Sequence, residues 1–154
     1  MNVLVADETG GLHQTRELLE LAEVVLDREG LPDDSEAAIV LVDNETIAEL
    51  NEIHRGKAGP TDVLSFPLEE ARPGVPPVRT PDGPPLHLGD VFIAPDVVGR
   101  NAAEHGVDFG DELALVTVHG ILHLLGWDHE DDDEAEAMEA RERKYLAVID
   151  RVRP

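Results

Sequence analysis

The feature that most constrains the fold is an almost wholly apolar segment with histidines near its end. DELALVTVHGILHLLG, residues 111–126, is predicted to form one helix, and Gly126 ends it. A helix this apolar on all sides belongs in a core, so other elements must surround it. Buried polar groups need hydrogen-bond partners, so the imidazoles on this helix require a specific explanation.

Three histidines are spaced so that they can meet at one point. His119 and His123 are four residues apart, which places them about 6 Å apart along a helix and on the same face. The turn at Gly126 then allows His129 to return from the following loop. Three imidazoles with one open position are typical of a catalytic zinc site, and imidazole also suits nickel, copper or iron. The chain has no cysteine, so thiolate ligands are excluded.

The spacing H-x-x-x-H-x-x-G-x-x-H also occurs in metzincin proteases, where glutamate follows the first histidine as general base. Here that residue is Gly120, which weighs against peptidase chemistry. Asp128 and Glu130 flank the third histidine. They could orient an imidazole, remain solvated, or supply a fourth ligand that would make the metal structural.

The rest of the chain predicts a small α+β domain. Strands are expected over 2–6, 37–43, 62–66 and 88–94, and helices over 13–29, after Asp43 and Asn44, over 95–104, 111–126 and 133–149. The order β-α-β-α-β-β-α-α-α indicates an α+β (α/β-like) fold: a mixed four-stranded sheet with about five helices and the metal site on the central apolar helix. Residues 1–154 form a single domain in this prediction.

Residues 67–86 form a proline-rich excursion within that domain. They contain seven of the eleven prolines, and we interpret the segment as an insertion rather than a domain boundary.

The net charge and the hydropathy pattern limit which binding partners and which cellular compartment we expect for this protein. A net charge of −22 argues against loose binding to nucleic acid or to an anionic membrane. No stretch approaches the roughly 20 apolar residues of a membrane span, and the first residues do not read as a signal peptide. We therefore expect a cytoplasmic protein without a membrane partner.

Two polar features predict local structure. Asp90 interrupts an apolar strand, so a buried hydrogen-bond partner is expected for it. In the last helix the basic residues alternate with Glu139 and Glu142, which predicts i, i+4 ion pairs on a solvated face; these basic residues are Arg141, Arg143 and Lys144.

Three segments together resemble the YbeY family of bacterial metal-dependent endoribonucleases. They are HGILHLLGWDH (119–129), LNEIHRGKAGPTDVLSFP (50–67) and LGDVFIAPDVV (88–98), in the order and separation of that family. The resemblance implies that His119, His123 and His129 bind zinc and that Arg55 lies in the active-site cleft. At position 54 the family more usually has an aromatic residue such as tyrosine, and at position 58 often a polar or acidic residue, whereas this chain has His54 and Ala58.

The resemblance also implies an activity and partners. It implies single-strand-specific RNA cleavage in 16S ribosomal RNA 3′-end maturation and ribosome quality control, with the small subunit and ribosome-assembly proteins as partners. Lys57, two residues after Arg55, is a second candidate for an RNA phosphate contact, or simply a solvated loop charge. Two alternatives are a metal-dependent hydrolase of another substrate and a non-catalytic ribosome-assembly factor with structural zinc.

Overall fold

A computed structural model describes residues 1–11, 13 and 15–154 of the chain. The strands are β1 (Asn2–Asp7), β2 (Glu36–Leu41), β3 (Val63–Pro67) and β4 (His87–Ile93). The helices are α1 (Thr15–Arg28), α2 (Asn44–Arg55), α3 (Pro95–His105), α4 (Phe109–Leu124) and α5 (Asp132–Val148). The elements follow the predicted order. Position 14, inside the first predicted helix, lies outside the described residues.

The four strands form one mixed sheet in the order β1-β2-β4-β3. β1, β2 and β4 are parallel, and β3 is antiparallel to β4. Each parallel neighbour is reached through a helical crossover, because parallel strands cannot be joined by a tight hairpin. The predicted α+β class, with a mixed four-stranded sheet and five helices, is confirmed.

The two faces of the sheet are covered unequally. The main core lies between one face and α1, α4 and α5, and it is almost wholly aliphatic. A smaller cluster on the other face includes Ile47 of α2 and Leu64 of β3. Asp90 points to this second face and keeps 40% of its side chain exposed, with His87 4.0 Å away. The expectation of a buried partner for Asp90 was therefore wrong, because the cover on that face is incomplete.

Helix α4 lies directly on the sheet at Gly120. A Cβ atom added there would lie 2.5 Å from Val91 Cγ1 and 3.2 Å from Val63 Cγ2. The Ser65 hydroxyl donates a hydrogen bond to the Gly120 carbonyl at 2.9 Å. A side chain at position 120 would therefore displace the Val91 side chain, and glycine allows α4 to lie this close to the sheet.

Replacing Gly120 with alanine is expected to destabilise the protein by up to about 2 kcal/mol. Overpacking costs about 1–3 kcal/mol, and the better helix propensity of alanine returns about 1 kcal/mol. Gly99→Ala in α3 is the matched control, since its new Cβ would lie 3.8 Å from the Phe109 ring, at ordinary contact distance. Urea unfolding of both variants measures the difference. A Gly120→Ala protein as stable as Gly99→Ala would contradict the packing argument.

The proline-rich excursion packs against the turn that follows α4. Gly126 has a φ of +91°. A Cβ atom there would lie 2.3 Å from the Ala71 carbonyl oxygen. Glycine is therefore required at position 126 both by its left-handed backbone and by the close approach of another backbone segment. Within the residues that the structure describes, no helix has the length and apolar character needed to span a membrane.

Candidate metal centre

The three histidines predicted from their spacing lie together in the structure. His119 and His123 project from adjacent turns of α4, with their Nε2 atoms 2.9 Å apart. His129 comes from the loop between α4 and α5, and its ring centroid lies 5.2 Å and 5.3 Å from those of His119 and His123. One nitrogen from each ring lies within 4.8 Å of the others. The group could hold a metal ion, and the role of each histidine as ligand stays a prediction.

The loop after α4 brings His129 back toward His119 and His123, because hydrogen bonds at the C-terminal end of α4 turn the chain sharply. The Gly126 N–H donates to the His123 carbonyl at 3.1 Å, and the Trp127 N–H donates to the Leu122 carbonyl at 3.0 Å. Such paired bonds around a left-handed glycine terminate a helix and redirect the chain. The His129 N–H then donates to Asp128 Oδ1 at 2.8 Å. These hydrogen bonds fix the position of the His129 backbone, from which the third imidazole projects.

A buried carboxylate ties this loop to two helices. Glu29, just after α1, accepts hydrogen bonds from Trp127 Nε1 at 2.9 Å, Arg141 Nη1 at 2.7 Å and the Tyr145 hydroxyl. Burial, together with the bond to Glu29, raises the pKa of Tyr145 to about 12. Arg141 therefore pairs across helices rather than along its own helix. The network holds the turn after α4 against α1 and α5.

Glu142 of α5 orients His119. Its side chain is almost fully buried, and its Oε2 lies 2.8 Å from His119 Nδ1. An N–H on Nδ1 leaves the lone pair on Nε2, which faces the other two imidazoles. The predicted solvated role of Glu142 was wrong. A sequence signal was present, since Met138, Tyr145 and Leu146 define a helical stripe that includes position 142.

Replacing Glu142 with glutamine is expected to weaken zinc binding about 10–100-fold, the usual cost of losing a carboxylate that orients a metal-binding histidine. Glutamine keeps the size and loses the charge. Glu136→Gln is the control, because Glu136 is an exposed glutamate on the same helix and lies outside the three-histidine group. Competition with a chromophoric chelator measures both affinities. Equal affinities for the two variants would show that Glu142 does not orient the site.

The electrostatics of the site keep the His123 imidazole available as a ligand. Burial, followed by the neighbouring His119 and His129, lowers the pKa of His123 to about 4. His123 is therefore neutral near pH 7, as a metal ligand must be. No carboxylate of the described residues belongs to the three-histidine group. Three imidazole nitrogen donors fit zinc or nickel and leave coordination positions free for other oxygen or nitrogen donors.

The histidines open onto a cleft of about 540 Å³ that Arg55 also lines. Arg55 is the last residue of α2, and Gly56 follows it with a φ of +65°. The buried Asn51 side chain donates to the Gly59 carbonyl at 3.0 Å, which orders the loop beyond Arg55. Arg55 is exposed and makes no ion pair with any residue in the described part of the chain. Lys57 is exposed too, but it does not line this cleft.

The other polar residues of the cleft have local structural contacts. Asp62 Oδ1 accepts from the Val63 N–H at 2.9 Å, and Ser65 bonds to the Gly120 carbonyl. Asp128 accepts from the His129 N–H. His54 makes an edge-to-face aromatic contact with Phe66, at 5.0 Å between ring centroids.

Comparisons with known proteins agree with this geometry. The family model described as Endoribonuclease YbeY matches residues 6–150. A protein named Endoribonuclease YbeY from Acidothermus cellulolyticus is 45% identical over 96% of this chain and 91% of its own length. One of the same name from Thermobifida fusca is 42% identical over 96% of this chain and 93% of its own length.

A solved structure supports the same assignment. The solution structure of TM1509 from Thermotoga maritima has a TM-score of 0.62 and 33% identity. The match covers 93% of this chain and 85% of that one. The resemblance predicted from the three sequence segments is confirmed: the chain belongs to the YbeY family of endoribonucleases.

Proposed function

We propose that this protein is a metal-dependent endoribonuclease that cleaves single-stranded RNA, with zinc as the ion that His119, His123 and His129 hold. The observation that carries the proposal is the convergence of three imidazoles in an open cleft that an exposed arginine also lines. Relatives named Endoribonuclease YbeY supply the substrate class. Asp128 and Glu130 line the cleft outside the three-histidine group, which favours a catalytic ion over a structural one.

Each side chain has a role in this proposal. When bound, a divalent ion supplies Lewis-acid chemistry, polarising a phosphoryl oxygen and acidifying water. The three histidines hold the ion, and Glu142 keeps His119 in the required orientation. Arg55 binds the non-bridging oxygens of the scissile phosphate, because its planar and always charged guanidinium matches them. Lys57, exposed and outside the cleft, is a solvated loop charge in this proposal.

The attacking group is either water or the RNA 2′-hydroxyl. Position 120 carries no side chain, so the helix supplies no general base beside His119. Water attack and 2′-hydroxyl attack leave different ends, since only the latter gives a 2′,3′-cyclic phosphate. Analysis of the product ends therefore assigns the nucleophile.

The wider role follows from the family. We propose that residues 1–154 form one cytoplasmic domain that acts in 16S ribosomal RNA 3′-end maturation and ribosome quality control. The small subunit and ribosome-assembly proteins would present the RNA, because a chain of net charge −22 repels free RNA at long range.

The test is a cleavage assay on single-stranded and duplex RNA with untagged protein. We expect cleavage of the single strand, loss of activity after chelation, and recovery on adding zinc. The His129→Ala protein, purified in parallel, controls for contaminating nuclease. If chelated wild type and His129→Ala both cut as well as untreated wild type, the proposed activity does not belong to this protein.

A further inference from the structure

The end of the chain folds back onto the metal centre through Arg153. Arg153 Nε lies 3.2 Å from Glu142 Oε1, and the other oxygen of the same carboxylate lies 2.8 Å from His119 Nδ1. Arg153, Glu142 and His119 thus form one continuous series of hydrogen bonds that ends at an imidazole of the site.

The segment 150–154, which follows α5, is held in place by a second arginine, Arg151. Arg151 Nε lies 2.5 Å from one oxygen of Glu17 and its Nη2 lies 3.1 Å from the other, a two-point contact with α1. Its Nη1 lies 3.1 Å from Asp108 and 3.2 Å from Asp111, at the start of α4. Paired contacts of this kind fix geometry as well as charge. Arg153 is therefore presented to Glu142 by an anchored segment.

Glu142 needs this cation. Its side chain is 2% exposed, while that of Arg153 is 23% exposed. A carboxylate removed from water is costly unless a partner compensates its charge. His119 is bonded to one oxygen of this carboxylate and leaves the other oxygen open to a second partner. Arg153 supplies the compensating charge at the oxygen that His119 does not use.

We propose that Arg153 is a positioning residue for the metal centre: its guanidinium aligns the Glu142 carboxylate, and Glu142 in turn aligns His119. The inference rests on the proposed function, since it takes the three histidines as the metal site. Without Arg153 the Glu142 carboxylate can rotate toward solvent, and the His119 ring loses its fixed orientation. The effect is a weaker metal site in an otherwise folded protein.

The test measures metal affinity directly, on the 154-residue apo-protein titrated with Co²⁺ and followed by its visible absorption. We expect Arg153→Gln to weaken Co²⁺ binding about tenfold and to change the absorption spectrum. Arg143→Gln is the matched control, because Arg143 on α5 pairs with Glu139 at 3.6 Å. We expect it to bind Co²⁺ within about twofold of wild type. Both variants make the net charge of the protein one unit more negative, which at long range favours the binding of a cation. A loss of Co²⁺ affinity in Arg153→Gln alone is therefore due to the lost contact of Arg153 and not to the change in net charge.

A double-mutant cycle with Glu142→Gln tests whether Arg153 affects metal affinity through Glu142. If Arg153 acts through Glu142, adding Arg153→Gln to Glu142→Gln causes no further loss of affinity. Arg153→Lys, which keeps the charge without the planar fork, recovers part of the affinity, and far-ultraviolet circular dichroism verifies that each variant is folded. Unchanged affinity in Arg153→Gln, or a full additional loss in the double variant, overturns the inference. Failure of wild type to bind Co²⁺ overturns the proposed function instead.

Discussion

His123→Ala protein is expected to purify with the native fold and to bind zinc at least about 100-fold more weakly than wild type. The variant leaves two imidazoles of the three-histidine group, and the loss of a direct ligand exceeds the 10–100-fold cost of losing an orienting partner. RNA cleavage should fall in parallel. Metal analysis by mass spectrometry on untagged protein, together with chelator competition, measures the loss.

The unfolding stability of the apo-protein shows whether His123→Ala removes only the metal site or also disrupts the fold. His123 is partly buried beside the cleft, and alanine favours helix, so apo-protein carrying His123→Ala should unfold close to wild-type apo-protein. His105→Ala is the control, since His105 is an exposed helical histidine outside the group. A His123→Ala protein that retains wild-type zinc affinity would show that the three imidazoles do not share an ion.

Arg55→Ala is expected to lower the rate of RNA cleavage about 10²–10³-fold while zinc content stays unchanged. The magnitude is that of removing one preorganised donor from a developing negative charge. Arg55 is exposed and lies outside the three-histidine group, so the substitution should leave both folding and the ion in place. Single-turnover cleavage of a single-stranded oligonucleotide measures the rate.

Lys57→Ala is the matched control for Arg55. It removes the same charge from the same loop, two residues further on, at a position that does not line the cleft. We expect it to change cleavage less than about threefold, because an exposed charge outside the cleft is screened by salt. Equal losses in the two variants would mean that the loop contributes general charge rather than a specific phosphate contact.

Local patterns were enough to predict the elements and the histidine group. The apolar run up to Gly126 and the four-residue spacing of His119 and His123 are properties of one helix and one turn, so they can be read directly from neighbouring residues. The order of the strands could not be derived in this way. It depends on which face each crossover helix covers, and a linear pattern does not contain that information.

The errors share one cause, which is contact between elements distant in sequence. Glu142 was assigned to a solvated face because its neighbours are charged, but α5 turns it toward His119, 23 residues earlier. Asp90 was expected to be buried because its strand is apolar, but the second face of the sheet is incompletely covered. In both cases burial was decided by a partner element and not by adjacent residues.

The sparse positive charge of the cleft limits how RNA binding can respond to ionic strength. Among the described residues that line it, Arg55 is the single guanidinium or ammonium group, and Asp62, Asp128 and Glu130 surround it. Each neutralised phosphate of a single strand contributes a slope of about −0.7 to the plot of log affinity against log salt. Counterion release should therefore contribute a slope of about −0.7 here, far shallower than that of a basic RNA-binding domain. Affinity for free RNA would then depend mainly on contacts that potassium chloride does not screen.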